Sequence, residues 1–182
     1  MNFLAHALLA KGGSDDFLFG NLIADGVKGS DLGAWSDDVA NGIRHHRRVD
    51  ATVDIHPEVL AARARAPGGG RRFAGVALDM VWDHFLARDL EDDAIIERTY
   101  RVLGRRHAPA RLGGMVPAML AQDWLRGYAD FEFTCKALAG LGRRLSGPNR
   151  LEELVPWLKE DYTAMEDAFH RLWPDISARL SR

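Results

Sequence analysis

Four short blocks in the first half of the chain contain histidine, aspartate or both. The blocks are Met1–His6, Gly20–Asp25, His45–Asp50 and Leu78–His84. Residues four positions apart lie on one face of a helix, so His46 and Asp50 can direct two ligands at one point. The same spacing separates Asp79 from Asp83. The pattern predicts that several helices contribute ligands to one metal site.

The types of these ligands indicate a class of reaction. Imidazole and carboxylate ligands without thiolates suit a divalent cation such as Mn²⁺, Fe²⁺ or Zn²⁺, and the excess of aspartate favours Mn²⁺ or Mg²⁺. A divalent cation lowers the pKa of bound water, and arginines neutralise phosphoryl oxygens. Since Arg47 and Arg48 directly follow His46, the sequence predicts hydrolysis of a phosphoester.

Each candidate ligand also has a structural interpretation. A single histidine on a short apolar helix, such as His6, is commonly a hydrogen-bonded core residue. Asp25 could end a helix, and Asp50 could pair with Arg47. Asp79 favours a functional site, because it lies in an apolar stretch where a buried carboxylate requires a cation or a metal nearby.

Charge is unevenly distributed along the chain. The totals are nearly balanced, with 24 Lys and Arg against 26 Asp and Glu, so the composition does not indicate nucleic-acid binding. Residues 1–43 have a net charge of −4, residues 44–72 have +4 and residues 73–182 have −2. The basic segment fits an anionic ligand or an acidic protein partner. A solvated helix face followed by a flexible loop would have the same composition.

Apolar residues recur at helical spacing along most of the chain, without the alternating pattern of strands. We predict helices at residues 2–11, 15–28, 36–54, 57–65, 72–88, 92–106, 117–128, 131–142 and 151–180. A chain of 182 residues, of which 47% are hydrophobic, can bury one full core. The expected architecture is an all-α, single-domain helical bundle, with its last helix interrupted at Pro156 and Pro174.

The single cysteine, Cys135, cannot form an internal disulfide, which is typical of a reducing compartment. Its apolar neighbours Phe133 and Leu138 predict a buried thiol. No apolar run approaches the length of a membrane span, and the apolar N-terminal segment lacks the basic leader of a signal peptide. We expect a cytoplasmic protein that binds no membrane.

The four blocks together resemble the acyl carrier protein phosphodiesterase family, whose members are also called holo-acyl-carrier-protein hydrolases. The resemblance is carried by residues 1–6, 20–25, 42–50 and 79–86, and it extends to residues 124–128 and 169–174. Any one of these motifs alone would be a weak signal. Four of them in the expected order are specific.

The resemblance implies an all-helical variant of the HD-type metal-dependent phosphohydrolase fold. It implies a divalent cation, typically Mn²⁺, with Mg²⁺ or Fe²⁺ as alternatives. The implied reaction releases 4′-phosphopantetheine from the serine of holo-acyl carrier protein and yields the apo protein. The chain departs from HD enzymes in one respect: it has no His-Asp dipeptide, and the adjacent pair Asp83 and His84 has the reverse order.

The match of position to motif assigns roles to individual residues. The implied direct metal ligands are His6, Asp25, His46 and Asp79. Asp50 and Asp83 are expected to be further ligands or to accept hydrogen bonds that orient the imidazoles. His84, beside Asp83, could protonate the departing serine oxygen, because an imidazole pKa suits a general acid.

The arginines are expected to bind the substrate. Arg47 and Arg48 are candidates for contacts with the phosphodiester or with acidic residues of the carrier protein. Arg71 and Arg72, beside the glycine-rich stretch 68–70, are expected to dock the carrier protein, which belongs to an acidic class.

Two other functions remain open from the sequence. A hydrolase of nucleotides or other small phosphoesters would use the same ligands without a protein partner. A non-catalytic helical interaction module would use the His and Asp blocks as buried polar networks. Metal analysis of chelator-free protein separates the module from both enzymes, and the sequence leaves the oligomeric state open.

Overall fold

The computed structural model of the chain describes residues 2–144 and 151–182, and all secondary structure within these ranges is helical. The helices are α1 (Phe3–Leu9), α2 (Asp15–Ile23), α3 (Asp37–Asp54), α4 (Pro57–Arg65), α5 (Ala74–Arg88), α6 (Ala94–Gly104), α7 (Met115–Ala121), α8 (Trp124–Gly127), α9 (Phe131–Arg144), α10 (Val155–Glu160) and α11 (Tyr162–Leu180). Short 3₁₀ turns lie at Ala24–Gly26, Arg71–Phe73, Ala110–Leu112 and Glu152–Leu154. The predicted all-α class is confirmed for the described residues.

Helix α5 lies at the centre of the fold. Its apolar residues Leu78, Trp82 and Phe85 are fully buried, and it packs against α1, α4, α8, α9 and α11. Buried apolar residues of all these helices belong to one continuous core. Because α5 is apolar on nearly all sides, a polar residue on it, such as Asp83, must find its partners inside the protein.

Helices α2 and α3 approach each other closely at two glycines. A Cβ on Gly20 would lie 2.0 Å from the backbone oxygen of Val39, and one on Gly42 would lie 2.1 Å from that of Phe17. Only glycine fits at such distances. The close contact brings Asn21 of α2 beside His45 of α3.

The predicted helix over residues 117–128 is wrong, since the chain forms two short helices there. Asp123 between α7 and α8 has a left-handed backbone, with φ of 50°. Its carboxylate accepts a hydrogen bond from the Tyr100 hydroxyl at 2.8 Å, and that hydroxyl accepts one from the backbone N–H of Leu125 at 2.9 Å. These tertiary contacts stabilise a conformation that no local pattern indicates.

Two further boundaries differ from the predictions. The helix expected to continue to residue 28 ends at Ile23, and Ala24–Gly26 form a 3₁₀ turn. The last helical segment is divided at Asp161, but α11 continues through Pro174. Burial of Phe169, Leu172 and Ile176 compensates for the backbone hydrogen bond that proline cannot donate.

The structure also bears on the predicted burial of Cys135 and on the expectation about membrane spans. The Cys135 thiol is buried, as predicted. Among the described residues, no helix has both the length and the apolar composition needed to cross a membrane.

Candidate metal centre

His6 of α1 and His46 of α3 form the centre of the site. Their rings are stacked, with centroids 3.8 Å apart and planes inclined by 12°. Both side chains are almost fully buried. Asp50, one helical turn beyond His46, lies 3.1 Å from His6 Nε2 through Oδ1 and 3.1 Å from His46 Nε2 through Oδ2. One carboxylate therefore contacts both imidazoles, and the four-residue spacing places His46 and Asp50 on one face of α3.

Asp25 brings a second carboxylate to the same imidazole. Its Oδ1 lies 3.3 Å from His46 Nε2, while its side chain is 72% exposed. Asp25 lies in the 3₁₀ turn that ends α2, so the early end of this helix directs the carboxylate toward α3. The His46 ring consequently lies between a half-buried carboxylate, Asp50, and an exposed one.

The donor set fits a divalent metal ion. Ligand atoms of His6, His46 and Asp50 all lie within 4.8 Å of one another, and this is the one such group of three or more in the described part of the chain. His6 Nδ1, His46 Nδ1 and Asn21 Oδ1 are buried without a hydrogen-bond partner in the structure. An unsatisfied buried polar atom costs about 1–3 kcal/mol. Coordination of an ion by nitrogen and carboxylate oxygen would remove part of this cost.

A small cavity borders these atoms. It has a volume of about 10 Å³, which is about the space of one water molecule. Its walls include His6, Asn21, Asp25 and His46. The unpartnered buried atoms thus border a cavity that can admit a water molecule.

Burial and charge separate the pKa values of the two histidines. Burial, together with the nearby His46, lowers the pKa of His6 to about 4, so this imidazole is neutral and able to bind a metal. Burial opposes protonation of His46, but Asp25 and Asp50 outweigh it and raise the His46 pKa to about 9. Burial would raise the pKa of Asp50, yet its contacts with the two histidines hold that pKa far below the usual range. Without a metal, His46 therefore carries a proton that an ion must displace.

Asp83 reaches the N-terminus of α1, which carries His6. Its carboxylate oxygens accept hydrogen bonds from the backbone N–H groups of Leu4 at 2.8 Å and Ala5 at 2.9 Å. Asn2, the residue before α1, makes no side-chain cap of its own. Asp83 is fully buried, and burial raises its pKa to about 7 despite the two hydrogen bonds. It thus caps α1 from another helix and fixes the helix that carries His6.

Asp79, one turn before Asp83, lies in the wall of a groove beside the metal centre. This groove is also lined by Asp25. Burial raises the pKa of the Asp79 carboxyl group. Among the described residues, Asp79 does not belong to the group whose ligand atoms converge. Its predicted role as a direct ligand stays a prediction.

The structure does not bring His84 together with the two stacked histidines in any described contact. Its Nδ1 donates to the backbone oxygen of Tyr128 at 2.8 Å, and its Nε2 accepts from the Tyr162 hydroxyl at 2.9 Å. Burial lowers the pKa of His84. In these contacts His84 connects α5 to the end of α8 and to α11, and its predicted role as general acid stays a prediction.

The four predicted substrate-binding arginines lie in different environments. Arg47 Nη2 donates to the backbone oxygen of Val27 at 3.0 Å. Arg48 is exposed and lines a separate surface cavity with Arg44. Arg48 therefore lies away from the cavity formed by His6 and His46.

The other two arginines are exposed. The guanidinium of Arg71 donates to the backbone oxygen of Ala64 at 3.3 Å. That of Arg72 lies 4.4 Å from the centre of the Phe73 ring. Both can contact a large partner at the surface.

Sequence reasoning assigned no role to Asn21, although its block was recognised. Asn21 is fully buried, and its Nδ2 donates to His45 Nδ1 at 2.9 Å. His45 Nε2 in turn donates to the backbone oxygen of Leu180 at 2.8 Å. These bonds fix the amide group of a residue that lines the small cavity and whose oxygen has no partner. The sequence feature that could have indicated Asn21 is its position directly after Gly20, where α2 contacts α3.

Comparison with known proteins decides the family. The family model described as acyl carrier protein phosphodiesterase matches residues 1–176. The chain belongs to the acyl carrier protein phosphodiesterase family. A relative of that name from Photorhabdus laumondii is 36% identical over 186 residues, which cover 96% of this chain and 92% of the relative. Another from Salmonella agona is 34% identical over 191 residues, covering 100% and 98%.

Membership of the acyl carrier protein phosphodiesterase family confirms the resemblance found in the four blocks. All predicted site residues, including Asp83, lie within the matched segment, as does Asn21. No solved structure matches the chain.

Proposed function

We propose that this protein is a metal-dependent phosphodiesterase that releases 4′-phosphopantetheine from the serine of holo-acyl carrier protein. The observation that carries the proposal is the buried cluster of His6, His46 and Asp50, whose ligand atoms converge. Family membership supports the substrate, since the relatives are named for acyl carrier protein.

The metal would be held by His6, His46 and Asp50, with Asp25 as a further ligand. Mn²⁺ suits this set of nitrogen and carboxylate donors, and Mg²⁺ and Fe²⁺ are alternatives. A bound divalent ion would lower the pKa of a water molecule and neutralise phosphoryl charge. The convergence of two histidines and an aspartate from α1 and α3 supports a variant of the HD-type fold, within one domain spanning residues 1–182.

Asp50 has a second role beside that of ligand, and the residues around the proposed ligands would act by positioning. Asp50 orients both imidazoles through its two oxygens, and Asp83 fixes the helix that carries His6. Asn21 lines the cavity, and its unpartnered amide oxygen could accept a hydrogen bond from a water molecule there. These contacts keep the donors in place before the substrate binds.

The carrier protein would bind through exposed arginines. Arg71 and Arg72 are exposed and belong to the segment of net charge +4. Acyl carrier proteins are acidic as a class, so this surface would attract them. A buried single thiol, Cys135, is consistent with the reducing cytoplasm where we place the reaction.

The direct test uses purified protein, Mn²⁺ and holo-acyl carrier protein, followed by intact-mass measurement of the carrier. We expect a mass decrease equal to one phosphopantetheine group in place of hydrogen, and no decrease after metal removal. An unchanged carrier mass would contradict the proposal. If nucleotides or small phosphoesters are hydrolysed while the carrier remains intact, the alternative phosphoesterase function is correct.

A further inference from the structure

A groove between α5 and α9 opens beside the metal centre. It has a volume of about 500 Å³, within the range of roughly 300–1,000 Å³ that is usual for small-molecule sites. We propose that this groove binds the pantetheine arm of the substrate and thereby determines which phosphodiesters are hydrolysed. The proposal rests on the proposed function and names a second part of the same site.

The groove is continuous with the metal centre. Asn2, Phe3 and Asp25 line both the groove and the small cavity that borders His6 and His46. Asp25 lies at the junction, with its carboxylate 3.3 Å from His46 Nε2. A phosphodiester at the metal centre would therefore have one substituent directed into the groove.

The walls of the groove suit an uncharged, flexible chain. Helix α5 contributes Val76 and Met80, and α9 contributes Ala137 and Leu141 from one face, four residues apart. Val76 is 38% exposed, which is unusual for a large apolar residue of this core helix. The gem-dimethyl and methylene groups of the pantetheine arm would cover these apolar surfaces.

The walls of the groove also contain polar side chains between the apolar ones. Asn2, Gln122 and Tyr128 line the groove, and their amide and hydroxyl groups can bond to the two amides of the arm. The charged residues that line it are Asp25, Asp79 and Lys136. Two of these three side chains are carboxyl groups, which would not attract the acidic body of a carrier protein. The uncharged arm is thus the part of the substrate that fits the groove.

The first test measures binding without catalysis. Isothermal titration of the Mn²⁺-loaded protein should show 4′-phosphopantetheine binding at least about tenfold more tightly than inorganic phosphate, because the arm adds apolar contacts. Ala137→Trp and Val76→Trp would fill the groove from opposite walls and should remove most of this difference. Leu60→Trp is the matched control, since Leu60 lies outside the groove and is 51% exposed. Equal affinity of the wild-type protein for the two ligands would overturn the proposal.

The second test compares two substrates. With Ala137→Trp and Val76→Trp, the loss in kcat/KM should be at least about tenfold larger for holo-acyl carrier protein than for bis(p-nitrophenyl) phosphate, which has no arm. Equal losses on both substrates in folded variants would contradict a role in arm recognition. If the wild-type protein leaves the carrier intact but binds phosphopantetheine more tightly than phosphate, the proposed function fails while the groove assignment holds.

Discussion

At the residue scale, the site depends on one carboxylate that contacts two histidines. Asp50 lies within 3.1 Å of His6 Nε2 and is 36% exposed. Asp54, one turn further along α3, is 68% exposed and lies 3.5 Å from Arg63 Nη1. The two aspartates share a helix and a residue type, but only Asp50 belongs to the converging group.

We expect Asp50→Ala to lower kcat/KM for holo-acyl carrier protein by about a hundredfold or more, because the change removes a ligand and leaves both imidazoles without their common partner. Metal content measured by elemental analysis should fall in parallel, while helical circular dichroism is retained. Asp54→Ala is the control and should remain within about twofold of the wild-type rate. Similar rates for both variants would remove Asp50 from the site.

A second prediction concerns the proton on His46, whose pKa is raised to about 9. Near pH 7 the metal-free imidazole is protonated, so binding of Mn²⁺ should release about one proton and the affinity should rise about tenfold per pH unit up to that pKa. Titration calorimetry in buffers of different ionisation enthalpy measures the number of protons. The affinity of His46→Asn should lose most of this pH dependence. An affinity independent of pH between about 6 and 8 would contradict the displacement of a His46 proton by the ion.

At the element scale, the position of α1 depends on α5. The N-terminus of α1 lacks a local side-chain cap, and Asp83 supplies one from 79 residues further along the chain. The geometry of the candidate metal centre therefore depends on the packing of α1 against α5 as well as on the ligands themselves.

Replacement of Asp83 by alanine should lower the free energy of unfolding by about 1–3 kcal/mol, because two buried N–H groups lose their acceptor. It should also weaken Mn²⁺ binding, since His6 lies on the helix that is released. Urea unfolding and metal titration measure the two effects, and Asp83→Asn should restore part of both because its amide oxygen still accepts one bond.

The control is Asp89→Ala, at the exposed C-terminal end of the same helix. It should leave Mn²⁺ affinity unchanged. A stability loss in Asp83→Ala with wild-type Mn²⁺ affinity would limit Asp83 to a structural role.

At the scale of the whole molecule, the proposed protein substrate would need a binding surface beyond the candidate metal centre. The basic segment 44–72 provides charge, but its arginines do not share one environment. The Arg47 guanidinium donates a hydrogen bond to the backbone oxygen of Val27, whereas Arg71 and Arg72 are exposed. The exposed pair is therefore better placed for long-range attraction.

Charge reversal at Arg71 and Arg72 should raise KM for holo-acyl carrier protein by about tenfold at low salt, with a smaller effect on a small phosphodiester. The defect should shrink as ionic strength rises, since exposed charges are screened. Arg101→Glu is a control, because Arg101 is half exposed on α6 and lies 3.9 Å from Asp15. A loss that is equal for both substrates and insensitive to salt would place the two arginines inside the catalytic pocket.

The sequence by itself determined the helical class, the positions of most helices and the family. These depend on local periodicity and on the order of short motifs, which can be read without knowing the packing. It also identified His46 and Asp50 as one pair of neighbours, since a spacing of four residues fixes their relation on any helix.

Only the tertiary structure decided which side chains meet across helices. Asp79 and Asp83 have the same spacing as His46 and Asp50, yet Asp83 caps α1 and Asp79 lines the adjoining groove. His6 and Asp50 are separated by 44 residues, and their contact depends on how α1, α2 and α3 pack. Helical periodicity gives the face of the helix on which a residue lies. Which other helix contacts that face is determined by the packing of the whole core, including the close contact of α2 with α3 at two glycines.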